Sequence, residues 1–280
     1  MPDEYQDFFL KRSTPEQRQM QNFDFEKDKK LDSTSNAARK SDAKRRTRST
    51  SLRKPEENPV GYLEGLLNEE GISEHSVAAL QFLKNKSRQT FGTSKLPLET
   101  LAPAASEIVG RNKVVPNWIN TGKLYTFRYW PENFTTLDYF DMHPLVFIVD
   151  FESKYSWRGI NLHYLDPNIR NKLYYDLRQW LTNRNYDQHT RVRMFYSYLK
   201  RFKKYIPALS AMRSYKVNRI RSEVMIIDPA YWDIVINIPT QRWVKKRENV
   251  AYYETALDIR KKRLNFEPNY KVNPKTDDQY

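Results

Sequence analysis

The longest unbroken apolar run in the chain is Pro144-Leu-Val-Phe-Ile-Val149. A bilayer-spanning helix needs about 20 such residues, so this run cannot cross a membrane. Its length is that of a buried strand. Two neighbouring runs share its texture, Leu124-Tyr-Thr-Phe-Arg-Tyr-Trp130 and Gly159-Ile-Asn-Leu-His-Tyr-Leu165. In the second, Ile160, Leu162 and Tyr164 alternate with Asn161 and His163, the two-residue period of a strand. With Pro131 and Pro144 as punctuation, the three runs read as an antiparallel meander.

Asp166-Pro167 then suits a helix start, because Asp is a good N-cap and Pro is tolerated in the first turn. Ile169, Leu173, Leu177, Trp180 and Leu181 form the apolar stripe of that helix. A second helix is expected over Asp187–Tyr205, with Val192, Phe195, Leu199 and Phe202 on one side and Pro207 as its stop. A short third helix is expected over Ala208–Val217. Two further strands, Glu223–Ile227 and Asp233–Ile238, flank the turn Asp228-Pro-Ala-Tyr-Trp232. After Trp243 the pattern is helical and charged. The expected fold is α+β: a small antiparallel five-stranded barrel-like sheet, SH3-like or OB-like, with a helical insertion. A small open sheet is the alternative.

Residues 1–58 are polar and poor in aliphatics, and a disordered tail is expected there because so little apolar surface cannot offset ordering entropy. Phe8, Phe9, Leu10, Phe23 and Phe25 are its apolar clusters, which suit docking on a partner or mean nothing more than a solvated tail. Residues 59–116 read as a helical arm or small helical domain. Tyr62, Leu63, Leu66 and Leu67 mark one helix with Gly71 beyond its end. Ser73 is the expected cap of a second, with Val77, Leu80, Phe82 and Leu83 as its apolar positions, and Pro97 and Ser106 bracket a weaker third. Residues 117–247 form the expected basic core domain, and 248–280 a C-terminal helix and tail.

Composition narrows the chemistry. There is no Cys, which excludes disulfides, thiolate nucleophiles and Cys-based metal sites. The four His residues (75, 143, 163 and 189) lack close metal-ligand spacing. Of the 7 Gly residues, the closest pair, Gly61 and Gly65, has neither Walker nor Rossmann context. The first residues, MPDEYQDFFLKR, lack the order of a signal peptide. No cofactor, metal or membrane partner is expected.

The formal charge is +14, and it is unevenly placed. Residues 61–116 hold 6 basic and 6 acidic side chains, whereas 117–280 hold 28 and 17. In the tail, Arg39–Lys54 carries eight cations against Asp42 alone, a run that suits nucleic-acid binding, a localisation signal or a solvated tail. Within the core domain the cations are interleaved with Tyr and Trp. Arg191, Arg193, Lys200, Arg201, Lys203 and Lys204 share one expected helix with Tyr196, Tyr198 and Tyr205. Arg219, Arg221, Arg242, Lys245 and Lys246 follow. So many cations bind phosphate backbones through counterion release, and the aromatics suit stacking on unpaired bases. These eleven residues are the expected DNA contacts.

A rival reading starts from Asp150-Phe-Glu152-Ser-Lys154 at the end of an apolar strand. Two acids and a Lys so spaced recur in metal-dependent nucleases, with Asp138 or Asp141 as a further carboxylate. His143 and His163 flank that strand pair without a nucleophile at suggestive spacing, and a structural role is expected for both. Trp130, Trp157, Trp180, Trp232 and Trp243 are expected in the core or at its rim.

The order of several runs resembles a known family. Lys123-Leu-Tyr-Thr-Phe-Arg-Tyr129, His143-Pro-Leu-Val-Phe-Ile148 and Gly159-Ile-Asn-Leu-His-Tyr-Leu165 come first. Arg219-Ile-Arg-Ser-Glu223, Tyr231-Trp-Asp-Ile-Val-Ile236 and Pro239-Thr-Gln-Arg-Trp243 follow. Over residues 120–247 this resembles the DNA end protectors of T-even-like tailed phages and their marine relatives. The resemblance implies a non-enzymatic virion protein of the phage head or neck. Such a protein binds the ends of packaged linear double-stranded DNA, completes the filled head, and enters the host cytoplasm with the DNA to shield it from exonuclease. Portal or neck proteins are implied partners. A purely structural head-completion role and the metal-dependent nuclease are the alternatives.

Overall fold

The computed structural model describes residues 54–92, 95–110, 119–181 and 203–266, with isolated positions between 193 and 200. All fall within one unit, Arg53–Tyr280. The basic run Arg39–Arg53 and the aromatic clusters of the expected tail lie outside the described residues.

Two helices open the described chain. α1 (Pro59–Glu69) begins at Asn58, whose side chain accepts from the Gly61 amide, with Pro59 in the first turn. α2 (Val77–Phe91) is capped by Ser76, which accepts from the Ala79 amide, and not by Ser73. Ser76 Oγ itself donates to the Ser73 carbonyl, and His75 takes a left-handed φ of 67°, so the helix starts one turn later than expected. Val77 is therefore exposed, while Ala79, Leu80, Leu83 and Phe91 are buried. In place of the third weak helix, a 3-10 turn over Leu98–Ala104 runs straight into β1 (Ala105–Val109).

The sheet has six strands in the order β1-β7-β2-β4-β5-β6, every neighbour antiparallel. Its other members are β2 (Leu124–Thr126), β4 (Leu145–Ser153), β5 (Ser156–Asn161), β6 (Met212–Lys216) and β7 (Val224–Ile227). A separate ribbon pairs β3 (Phe140–Asp141) with β8 (Trp243–Val244). The sheet is open, with β1 and β6 as its edges, so the expected barrel does not form. The reason is visible in β4. Leu145, Phe147 and Val149 point into an apolar cluster shared with the helices, while Val146 and Ile148 point into a second cluster with Phe127, Trp157 and Tyr215. A barrel encloses one core. This sheet buries both faces, which is why its central strand reads as an unbroken apolar run.

At Gly159 the strand backbones pack so closely that an added Cβ would meet Val146 Cγ1 at 2.2 Å and the Phe147 carbonyl at 2.8 Å. β5 ends at Asn161, whose side chain accepts from the His163 amide and turns the expected strand end into a 3-10 turn over Leu162–Tyr164.

The helical insertion begins as expected. Asp166 accepts from the Asn168 amide at 2.9 Å, and α3 (Pro167–Leu181) follows with Leu173 and Leu177 buried. Most of the expected helix Asp187–Tyr205 lies outside the described residues, although Arg193, Tyr196, Ser197, Leu199 and Lys200 are helical. Pro207 does not end a helix but sits in the first turn of α4 (Ile206–Ser210), where its missing amide is harmless. Chain expected to be helical then becomes edge strand β6. The expected strand Asp233–Ile238 is instead the short helix α5 (Trp232–Val235) and the turn after it. Trp232, Ile234, Val235, Ile236 and Ile238 are all buried, and a run buried all round carries no two-residue period. Finally, α6 (Glu248–Leu264) packs Ala251 and Ile259 against the helical side of the core.

Candidate nucleic-acid interface

Of the eleven expected contacts, Arg191 and Arg201 lie outside the described residues. Arg193, Lys200, Lys203, Lys204, Arg221 and Arg242 are exposed. Lys200 Nζ lies 4.8 Å from the Tyr196 ring centre, and Lys204 Nζ 4.8 Å from that of Tyr205, so each ammonium rests on an aromatic face. The remaining three serve the fold. Arg219 donates to Glu132 at 3.2 Å, and Lys216 pairs with the same carboxylate, holding it below its usual pKa chiefly through the Lys216 hydrogen bond. Lys245, at φ 71°, donates to the carbonyls of Thr135 at 2.8 Å and Leu137 at 2.6 Å. Lys246 pairs with Glu254 at 2.6 Å beside the Tyr139 ring.

The acids of the nuclease reading are also engaged. Glu152 takes two donors from Arg158, at 3.0 and 2.5 Å, and one from the Ser214 hydroxyl at 2.9 Å. Asp150 accepts from the adjacent Phe151 amide. No cluster among the described residues brings together three groups that suit a metal ion. Asp141 is fully buried and is bound by the His163 ring at 2.8 Å and by the amides of His143 at 3.0 Å and Arg242 at 2.9 Å. Burial pushes this carboxyl up, but the His163 ring and the two amides outweigh it and hold it below the carboxylate range. His143 goes the other way: burial lowers its imidazole pKa against the pull of Asp141. The His163 ring thus ties β3 to the end of β5, while His143 is buried and reaches the same carboxylate only through its backbone amide.

A second concentration of cations lies elsewhere. A cleft of about 900 Å³ opens between the second half of α2, the start of α3, the segment 237–243 and the start of α6. Lys84, Arg88, Lys95, Arg170, Lys246 and Arg247 line it, against the single carboxylate of Glu248. Lys84 donates to Gln81 and Asn168, both neutral. Arg88, Lys95 and Arg247 have no carboxylate partner among the described residues. Arg170 is 2% exposed, yet its acceptors are the carbonyls of Ile236 and Leu165 and the hydroxyl of Tyr252. Glu248 is taken by that same hydroxyl. A guanidinium buried among neutral acceptors is costly, and an incoming anion relieves that cost.

Apart from Lys246, the expected contacts included none of these cations. The reason is averaging: 6 basic and 6 acidic residues make 61–116 look neutral. Between Glu74 and Glu99, however, the chain carries Lys84, Lys86, Arg88 and Lys95 and no acid at all. Lys84 and Arg88 are also four apart, on one face of α2.

The described residues thus form an antiparallel α+β core with a cation-lined cleft. The family model of the Phage T4 terminal DNA protecting protein matches residues 99–256, and the chain belongs to that family. No curated protein and no solved structure shows a significant match. The match contains every strand and α3 to α5, and α2, outside it, packs on α3 and α5, with Asn171 donating to the Leu80 carbonyl and Ser87 to the Asn237 carbonyl.

Proposed function

We propose that the protein binds the ends of linear double-stranded DNA in the phage virion and shields them from host exonuclease after injection. Family membership carries this reading, and the surplus of cations without carboxylate partners supports it. Binding releases the counterions condensed on the duplex, a gain that needs no base sequence. The exposed Arg193, Lys200, Lys203, Lys204, Arg221 and Arg242 make the outer phosphate contacts, and Arg191 and Arg201 join them. The bulk of the folded core then denies an exonuclease its loading site. This is occlusion, with no covalent step and no cofactor. The same bound state places the protein at the head opening, where completing the filled head through portal or neck proteins is its second task.

The test is binding to linear and to covalently closed circular duplexes of equal length across a salt series, followed by exonuclease challenge. The proposal expects preference for linear DNA, a steep salt slope and slowed digestion. Equal binding to both forms, or digestion at the rate of naked DNA under saturating protein, overturns it.

A further inference from the structure

The cleft between α2, α3 and α6 has the chemistry of a site for a phosphorylated terminus, and three observations coincide there. First, the charge is one-sided: of the six cations lining the cleft Lys246 is paired with Glu254, and the other five share the lining with Glu248 alone. Second, α6 is a helix of 17 residues that opens on the cleft with no side-chain cap; the Val250 and Ala251 amides donate to the Arg247 carbonyl and Glu248 sits in the first turn, which leaves the amides of Glu248 and Asn249 for an anion. Third, buried polar atoms of the lining have no partner among the described residues. These are Nε of Arg170, Nε1 of Trp243 and Oε1 of Gln241, on residues 2%, 8% and 5% exposed, and Oδ1 of the half-buried Asn237. Buried polar atoms are nearly always bonded, so several unbonded ones along one cation-lined cleft point to a ligand there.

The partners wanted by these atoms are mixed. Arg170 and Trp243 offer donors and Gln241 and Asn237 acceptors, while the outer cations offer charge. A bare inorganic anion uses only donors. A nucleotide uses both, because it carries a phosphate and a base with donor and acceptor edges. The volume of about 900 Å³ lies within the range of pockets for small ligands, roughly 300–1,000 Å³, so one or two nucleotides fit and the body of a duplex does not.

We infer that this cleft receives the terminal phosphomonoester nucleotide of a DNA strand and so distinguishes an end from continuous duplex. The inference rests on the DNA-end reading above and deepens it. Arg88, Lys95 and Arg247 meet the terminal phosphate at the rim, and Arg170, Trp243 and Gln241 meet the nucleotide within. Interior phosphates are diesters with one charge each. A terminal monoester carries close to two at neutral pH and binds a cation-rich pocket more strongly.

The experiment uses the full chain and blunt duplex oligonucleotides that differ only at their ends: 5′-phosphate, 3′-phosphate, or hydroxyl at both. Closed circular duplex and a free nucleoside monophosphate serve as competitors. The variants are Arg88→Glu with Lys95→Glu in the cleft, and Lys154→Glu with Lys172→Glu as an equal charge change on exposed residues outside it. The expected result is at least about tenfold tighter binding of a phosphorylated end than of the hydroxyl end. The cleft variant loses that ratio and keeps salt-dependent binding to the circle, while the outside variant keeps the ratio. Equal affinity for phosphorylated and hydroxyl ends, with linear DNA still preferred to circular, overturns the inference and leaves end binding intact. Equal affinity for linear and circular DNA overturns the end-binding reading itself. Competition by the free nucleotide at concentrations comparable to the DNA end also overturns the inference, because the cleft then serves a soluble ligand. Circular dichroism melting of both variants guards against loss of fold, which neither exposed pair is expected to cause.

Discussion

At the β5–β6 side of the sheet, Arg158 is held by Glu152, and Lys216 and Arg219 are held by Glu132. In the cleft, Lys84, Arg88, Lys95 and Arg247 have no carboxylate partner among the described residues, and Arg170 is buried among carbonyls and a hydroxyl. Both regions are rich in cations by sequence. They differ in where the carboxylates went. A paired cation has its field cancelled and serves local geometry. An unpaired one keeps its field for a partner. Counting charge along the chain cannot separate the two cases, and counting ion pairs can.

The largest effect expected from breaking this contrast is on the buried side. Asp141→Ala removes the acceptor of the His163 ring and of two amides at once. Leaving such groups uncompensated is expected to cost about 3–5 kcal/mol in urea denaturation, with the cleft cations Arg88 and Lys95 untouched. Reversing Arg88 and Lys95 together is expected to do the opposite. It should lower the slope of log affinity against log salt by about 2 while moving the melting midpoint little. Next comes Gly159→Ala, which forces a methyl into Val146 and the Phe147 carbonyl and is expected to cost about 1–3 kcal/mol of stability.

A smaller effect concerns pH. The folded pKa of His143 lies below its unfolded value near 6.5, because burial disfavours the imidazolium. The unfolded state therefore takes up this proton first. Stability is full above about pH 6.5 and falls as the pH drops from there toward the folded pKa. Asp141 and Asp233 are also depressed, so their contributions persist above the unfolded carboxylate pKa, about 3.9, and are lost only in stronger acid. Urea midpoints measured from pH 8 to 5 should fall, and His143→Gln should flatten that fall. The smallest effect is Arg158→Ala. This partly exposed pair is worth no more than about 1 kcal/mol, and DNA affinity should not change.

Much of the scaffold was legible because local signals agreed. The Leu145–Val149 run, the Asp166-Pro167 start of α3 and the apolar spacing of α1 each have one physical reading. Where signals conflicted, the tertiary setting decided. Pro207 is equally at home after a helix or in its first turn, and the core placed it in the first turn of α4. The stretch from Trp232 to Ile238 is buried all round, so no periodicity told helix from strand. The barrel expectation failed because a sheet with both faces covered looks, strand by strand, like a closed one. The cleft was hidden for a different reason. Its walls come from segments far apart in sequence, Lys84–Lys95, Arg170 and Gln241–Tyr252, and its unpartnered atoms are defined only by what surrounds them.

The central claim is that the unpaired cations of the cleft, and not the paired ones of the sheet, hold the DNA end. It is tested most directly by the rate at which an exonuclease digests 5′-phosphorylated linear duplex under saturating protein. The wild-type chain and Arg158→Ala are expected to protect equally, and the Arg88→Glu, Lys95→Glu double variant to leave the duplex degraded at close to the naked rate. Full protection by the cleft variant, or its loss in Arg158→Ala with the fold intact, would contradict the account.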